Sequence, residues 1–179
     1  MRSSKYVAAL TALVVVLVAA PSASAAGACQ AANASVSQVS KRALVRATLC
    51  VLNSQRTRTN LRPLRLNRQL SEAARRHSRA MARRRFFSHT SLSGASFVDR
   101  IRSTGYLSRA RSWSVGENIA YGSGERSTPR SIGRAWINSP GHRANILSPA
   151  FRAIGIGIAL GTPQGRGGAT YTTDFGRRG

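Results

Sequence analysis

The chain has 179 residues, 28 of them Lys or Arg against 5 Asp or Glu, for a formal charge of +23. That length supplies one hydrophobic core of ordinary size and leaves no room for a second domain. The charge favours adhesion to polyanions, but the cations are spread along the chain and the few aromatics do not interleave with them, which argues against a specific nucleic-acid partner.

Residues 1–25 read as a secretory signal. Arg2 and Lys5 precede an apolar run from Tyr6 to Ala20, Pro21 breaks it, and Ala23-Ser24-Ala25 offers a small-x-small cleavage site. The run is too short for a membrane span, and no later stretch is apolar enough for one, so the expected protein is secreted and extracellular. Residues 26–42 are small and polar and read as a flexible leader to a domain over 43–179. Cys29 and Cys50 lie beyond the signal of an exported chain, so a disulfide between them is the default; two buried thiols are the alternative.

A broad apolar face of helical period runs through Leu44, Val45, Ala47, Leu49, Val51 and Leu52, predicting a helix over 41–57. Asn67 is an N-cap for a second helix over 68–84, with Leu70, Ala73, Ala74, His77, Ala80 and Met81 on one side. His77 reads as a satisfied core histidine. A short helix is expected over 96–102, stopped by Gly105, then a strand over 113–121. Pro129 begins a helix to Asn138, and Pro140 begins a short helical turn carrying His142. Ile154 to Ala159 alternates as a strand, its glycines allowing close packing against a neighbour. A Gly-rich turn over 162–168 precedes a last strand over 170–175. Helices first and strands later give an α+β layered domain. Trp113 and Trp136 are expected as core anchors, Asn118 and Asn145 as satisfying loop backbone, and Asp174 as pairing with an arginine.

The chemistry concentrates around Glu117, a carboxylate set among Val115, Ile119 and Tyr121, where it is costly unless paired. His142 and His89 are the natural partners by type. Two imidazoles and a carboxylate are also chemically competent as an open zinc site. The alternative is a hydrogen-bonded structural cluster in which Glu117 accepts from His142 or backbone amides. Ser139, His142 and Glu117 are nucleophile, base and acid by type, but no G-x-S-x-G elbow is present, and Ser139 before Pro140 suits a helix-start cap equally well.

In order and spacing, L-N-S-Q-R from Leu52, F-F-S-H ending at His89, G-E-N-I-A from Gly116, W-I-N-S-P-G-H-R-A-N-I-L from Trp136 and D-F-G from Asp174 resemble the CAP superfamily of cysteine-rich secretory proteins, also called SCP-like extracellular domains. The match is to its bacterial secreted branch and runs from about Leu44 to Gly176. The resemblance implies a three-layer α–β–α sandwich with a small, mainly antiparallel sheet. It also implies a cavity with two histidines, here His89 and His142, and two acids, of which Glu117 matches one. The second acidic position is Ser139, so the tetrad is incomplete. The implied function is a non-catalytic extracellular binding module for lipid, sterol-like or cell-wall ligands, with a divalent metal such as zinc at His89, His142 and Glu117. The alternatives are a metal-assisted or serine-type hydrolase in the same cleft, and a cationic surface-binding defence protein.

Overall fold

The computed structural model describes residues 29–179; the expected signal segment lies outside them. Its first helix, α1 (Lys41–Arg58), starts where Ser40 accepts a hydrogen bond from the Ala43 amide, and it buries Leu44, Ala47, Val51 and Leu52. The remaining helices are α2 (Arg68–Arg84), α3 (Phe97–Ser103), α4 (Pro129–Asn138) and α5 (Pro140–Ile146). The strands are β1 (Arg65–Leu66), β2 (Trp113–Gly122), β3 (Ala153–Thr162) and β4 (Gly165–Arg178), in sheet order β1-β3-β4-β2. Only the β1–β3 pairing is parallel. Two residues are too few to show a period, so β1 has no signature in the sequence. The last strand is also longer than expected: β3 and β4 form a hairpin closed by Thr162 opposite Gly165.

The sheet separates two helical layers. On one face α1, α4 and α5 cover Ile154, Ile156, Ile158, Tyr171 and Phe175, with Trp136 of α4 edge-on to Tyr171. On the other face α2 lies directly on β3. A Cβ at Gly155 would stand 2.0 Å from the Leu70 carbonyl carbon, and one at Gly157 2.2 Å from that of Ala74. These two glycines set the closeness of the α2 layer. The α3 layer adds Ile101, packed with Leu70, Ala73 and Tyr106.

Three expectations need correction. Residues 29–40 are a set of turns tied to the domain: Ala32 and Val36 are buried, the Arg130 amide donates to the Ala32 carbonyl, and Cys29 is disulfide-bonded to Cys50 of α1. The expected disulfide is present, but the polar composition concealed the burial of Ala32 and Val36. Trp113 opens β2 at the sheet's edge and is 47 % exposed, so Trp136 alone of the two tryptophans anchors the core. Asp174 has no arginine partner, as described below. Arg56, the last residue of L-N-S-Q-R, is fully buried and donates to the carbonyls of Arg62, Ile146 and Ser148, joining α1 to the end of α5.

Candidate functional site

Glu117 sits in the middle of β2 with its side chain buried. Its Oε1 accepts from His89 Nδ1 at 2.8 Å and its Oε2 from Arg100 Nη2 at 2.6 Å. Burial works against ionisation, but the His89 hydrogen bond and the Arg100 charge outweigh it and hold the carboxyl below its ordinary pKa. An ionised carboxylate can only accept, so His89 carries its proton on Nδ1 and turns Nε2 outward. The ring is half exposed. Arg100 also donates from Nη1 to the His89 carbonyl, Ser91 Oγ and the Ala95 carbonyl, so one guanidinium both neutralises Glu117 and fixes the loop bearing His89. From behind, His77 Nε2 lies 2.8 Å from the Ser88 carbonyl and its ring meets Phe86 edge-on. Burial lowers its pKa, so it is a neutral core histidine, but not the satisfied one expected, because its Nδ1 has no partner among the described residues.

His142 comes from α5, which asparagines hold against β2. Asn118 Nδ2 donates to the His142 carbonyl, and Asn145 Nδ2 to the Glu117 carbonyl and Asn118 Oδ1. The His142 ring does not reach Glu117; its Nδ1 pairs with Ser139 Oγ at 2.9 Å. Partial burial and the nearby His89 both lower its pKa. Ser139 stands at the start of α5 but makes no side-chain cap bond. The expected acceptance by Glu117 from His142 is therefore replaced by acceptance from His89 and Arg100.

These pairings bear on both chemical readings. A serine hydrolase relay needs the acid on the base that faces the serine. Here the acid holds His89 while the serine holds His142. A three-ligand metal site needs both imidazoles and a Glu117 oxygen around one point, yet Glu117 bonds His89 and the Arg100 guanidinium while His142 turns to Ser139. Among the described residues no three His, Cys, Asp or Glu side chains are gathered to hold a metal. In this arrangement His89, His142 and Glu117 are not gathered around one point.

Directly across the sheet from Glu117 is Asp174. It is buried, no protein N–H or hydroxyl among the described residues donates to its carboxyl oxygens, and burial, the Glu117 charge and a hydrogen bond shared with the Glu117 carboxylate push its pKa well above the ordinary range against the pull of Arg100. One member of the pair is ionised and the other is a neutral acid.

The model of the cysteine-rich secretory protein (CAP) family matches residues 49–174, most of the chain and every residue of this site. The chain belongs to the CAP family. Its CAP domain is 36 % identical over 123 residues to YkwD, an uncharacterized protein of Bacillus subtilis (strain 168), covering 69 % of this chain and 43 % of YkwD. It is 31 % identical over 110 residues to the uncharacterized membrane protein YlbC of the same organism, covering 62 % of this chain and 30 % of YlbC. The chain thus spans less than half the length of these curated relatives. An extracellular SCP-domain protein of Bacillus anthracis superposes with a TM-score of 0.58 at 25 % identity, over 76 % of this chain and 43 % of that one. An outer surface protein of Borrelia burgdorferi superposes at 0.64 with 20 % identity, over 79 % and 97 % of the two chains, a likeness of fold.

Within this CAP domain, the structure brings His89 to Glu117 and His142 to Ser139 as two separate pairs joined by Asn118 and Asn145. Arg100 and Asp174 complete the surroundings of Glu117. Arg100 escaped the sequence reading because any of the chain's many cations could have been the counter-ion. The signal for it was the demand itself: a carboxylate in an apolar strand needs a buried cation.

Proposed function

We propose that this CAP protein is exported and acts as a non-catalytic extracellular binding module, with its ligand seated where the His89 loop meets β2 and α5. One observation carries the reading: Glu117 commits both oxygens to His89 and Arg100, so neither a serine relay nor a three-ligand metal site is assembled, while two imidazole edges remain at the surface. The extracellular description of the Bacillus anthracis relative and the signal-like first 25 residues support export. No helix among the described residues is long and apolar enough to cross a membrane.

Phe87 and Leu92, on either side of His89, are exposed apolar side chains, and Phe87 meets Tyr121 edge-on. A polar patch with an apolar rim suits an amphiphile of lipid or sterol type. A fluorescent fatty acid or sterol is expected to bind the wild type and to be lost from the Phe87→Ser/Leu92→Ser variant; equal binding by both overturns the ligand class. Zinc calorimetry on the metal-stripped domain, beside His89→Ala/His142→Ala, tests the rest. A saturable one-site isotherm present only in the wild type would replace this reading by a metal site. The charge of +23 adds salt-sensitive adhesion to polyanionic surfaces such as cell-wall polymers.

A further inference from the structure

The α2 helix carries Arg75, Arg79 and Arg83 four residues apart, so their guanidinium groups follow one another along a single face at steps of about 6 Å. All three are exposed. Like charges at this spacing repel, and α2 has one acid, Glu72, already bonded to Arg75 and Arg76. Lys41, the first residue of α1, comes to the same place. It stands at the positive end of the α1 dipole, where a cation is disfavoured. The four cations line a pocket of about 170 Å³ over Ala159 and exposed Leu160 of β3. Among the described residues, β1 pairs with β3 only through Ala153 and Ile154, so the outer edge of β3 at this pocket has no strand neighbour there. No acid among the described residues lines the pocket.

We propose that this strip is a docking site for an extended, flexible phosphodiester polymer, whose successive phosphates follow Arg75, Arg79 and Arg83 while Lys41 closes the opposite wall. The site lies on a different part of the fold from Glu117 and its histidines. It rests on the polyanion adhesion proposed above, and gives that adhesion a place.

The shape favours a linear chain over a membrane. The row is a line in a concavity, and Leu160 is the only large exposed apolar side chain at its rim. Lining residues include no aromatic on which bases would stack.

The experiment compares two triple variants with the same loss of charge. One is Lys41→Gln/Arg79→Gln/Arg83→Gln; the other is Arg58→Gln/Arg134→Gln/Arg143→Gln, all exposed and away from the strip. The probe is synthetic poly(glycerol phosphate), titrated at several salt concentrations, with phosphatidylglycerol vesicles as the membrane arm and poly(dT) as the base-bearing arm. The strip variant is expected to bind the polymer at least about tenfold more weakly than the control, with a salt slope shallower by about 2. Equal weakening in both variants would mean diffuse adhesion, overturning the strip and keeping the adhesion. No polymer binding by the wild type would overturn both. Tighter binding to vesicles or to poly(dT) than to poly(glycerol phosphate) would overturn the ligand class. A strip variant that binds normally but aggregates would show that the cations guard the edge of β3 instead.

Discussion

The two layers that cover the sheet are built differently. Under α1, α4 and α5 the interior is mainly apolar: Trp136, Tyr171, Phe175 and three isoleucines of β3 pack together, while buried Arg56 and Asn118 donate to carbonyls and Thr173 Oγ1, opposite Ile156, is left without a partner among the described residues. Under α2 and α3 the buried surface holds His77, Ser78, Glu117, Thr172 and Asp174 beside Arg100. There His77 Nδ1 and Arg100 Nε have no hydrogen-bond partner among the described residues, and the Asp174 carboxyl has only that of Glu117. One face stabilises the domain. The other accepts an electrostatic cost and supports the candidate site, a division in which strain collects beside function.

The largest effect should come from the apolar face. Trp136→Ala is expected to lose about 3–5 kcal/mol in urea unfolding, through a cavity and the broken bond to Ile119. A loss below about 1 kcal/mol would break the contrast between the faces.

On the polar face the charges should be interdependent. Arg100→Leu leaves Glu117 buried beside half-exposed His89 alone, and should cost about 3 kcal/mol, as removal of one partner from a buried pair does. Adding Glu117→Gln should recover much of that loss. Simple additivity in the double-mutant cycle would mean the pair is not coupled.

The two facing carboxyls should give pH dependences of opposite sign. The folded pKa of Asp174 is raised, so its contribution is full below the unfolded value, near pH 4, and is lost as pH rises toward the folded value. The folded pKa of Glu117 is lowered, so its contribution is present above the unfolded value and is lost as pH falls through the folded one. Asp174→Asn should therefore abolish a decline in stability as pH rises above the unfolded value. Unfolding curves of the variant and wild type that stay parallel across that window would show that Asp174 titrates normally.

The smallest effect is expected at Ser139. Its hydroxyl meets only the partly buried His142 ring, so Ser139→Ala should change stability by less than about 1 kcal/mol. It should also leave ligand binding near wild type, provided the serine is no nucleophile. Loss of an esterase or peptidase activity in this variant would reinstate the hydrolase.

By itself the sequence determined most of the elements, because their signals are local. Asn67 caps α2, Ser96 caps α3, Pro129 and Pro140 begin α4 and α5, and the spacing of apolar residues marks the buried faces. It also picked out Glu117, since a carboxylate in an apolar strand is anomalous wherever the strand lies. The tertiary structure decided which partner each group took. Glu117 went to Arg100 and His89 rather than His142, Asp174 came to face Glu117 through the β2–β4 register, and Trp113 fell at an edge. Those outcomes depend on distances between residues remote in the chain, and the energy of a charge depends on what surrounds it in space. With so many arginines to choose from, no spacing along the sequence could single out the one that is buried.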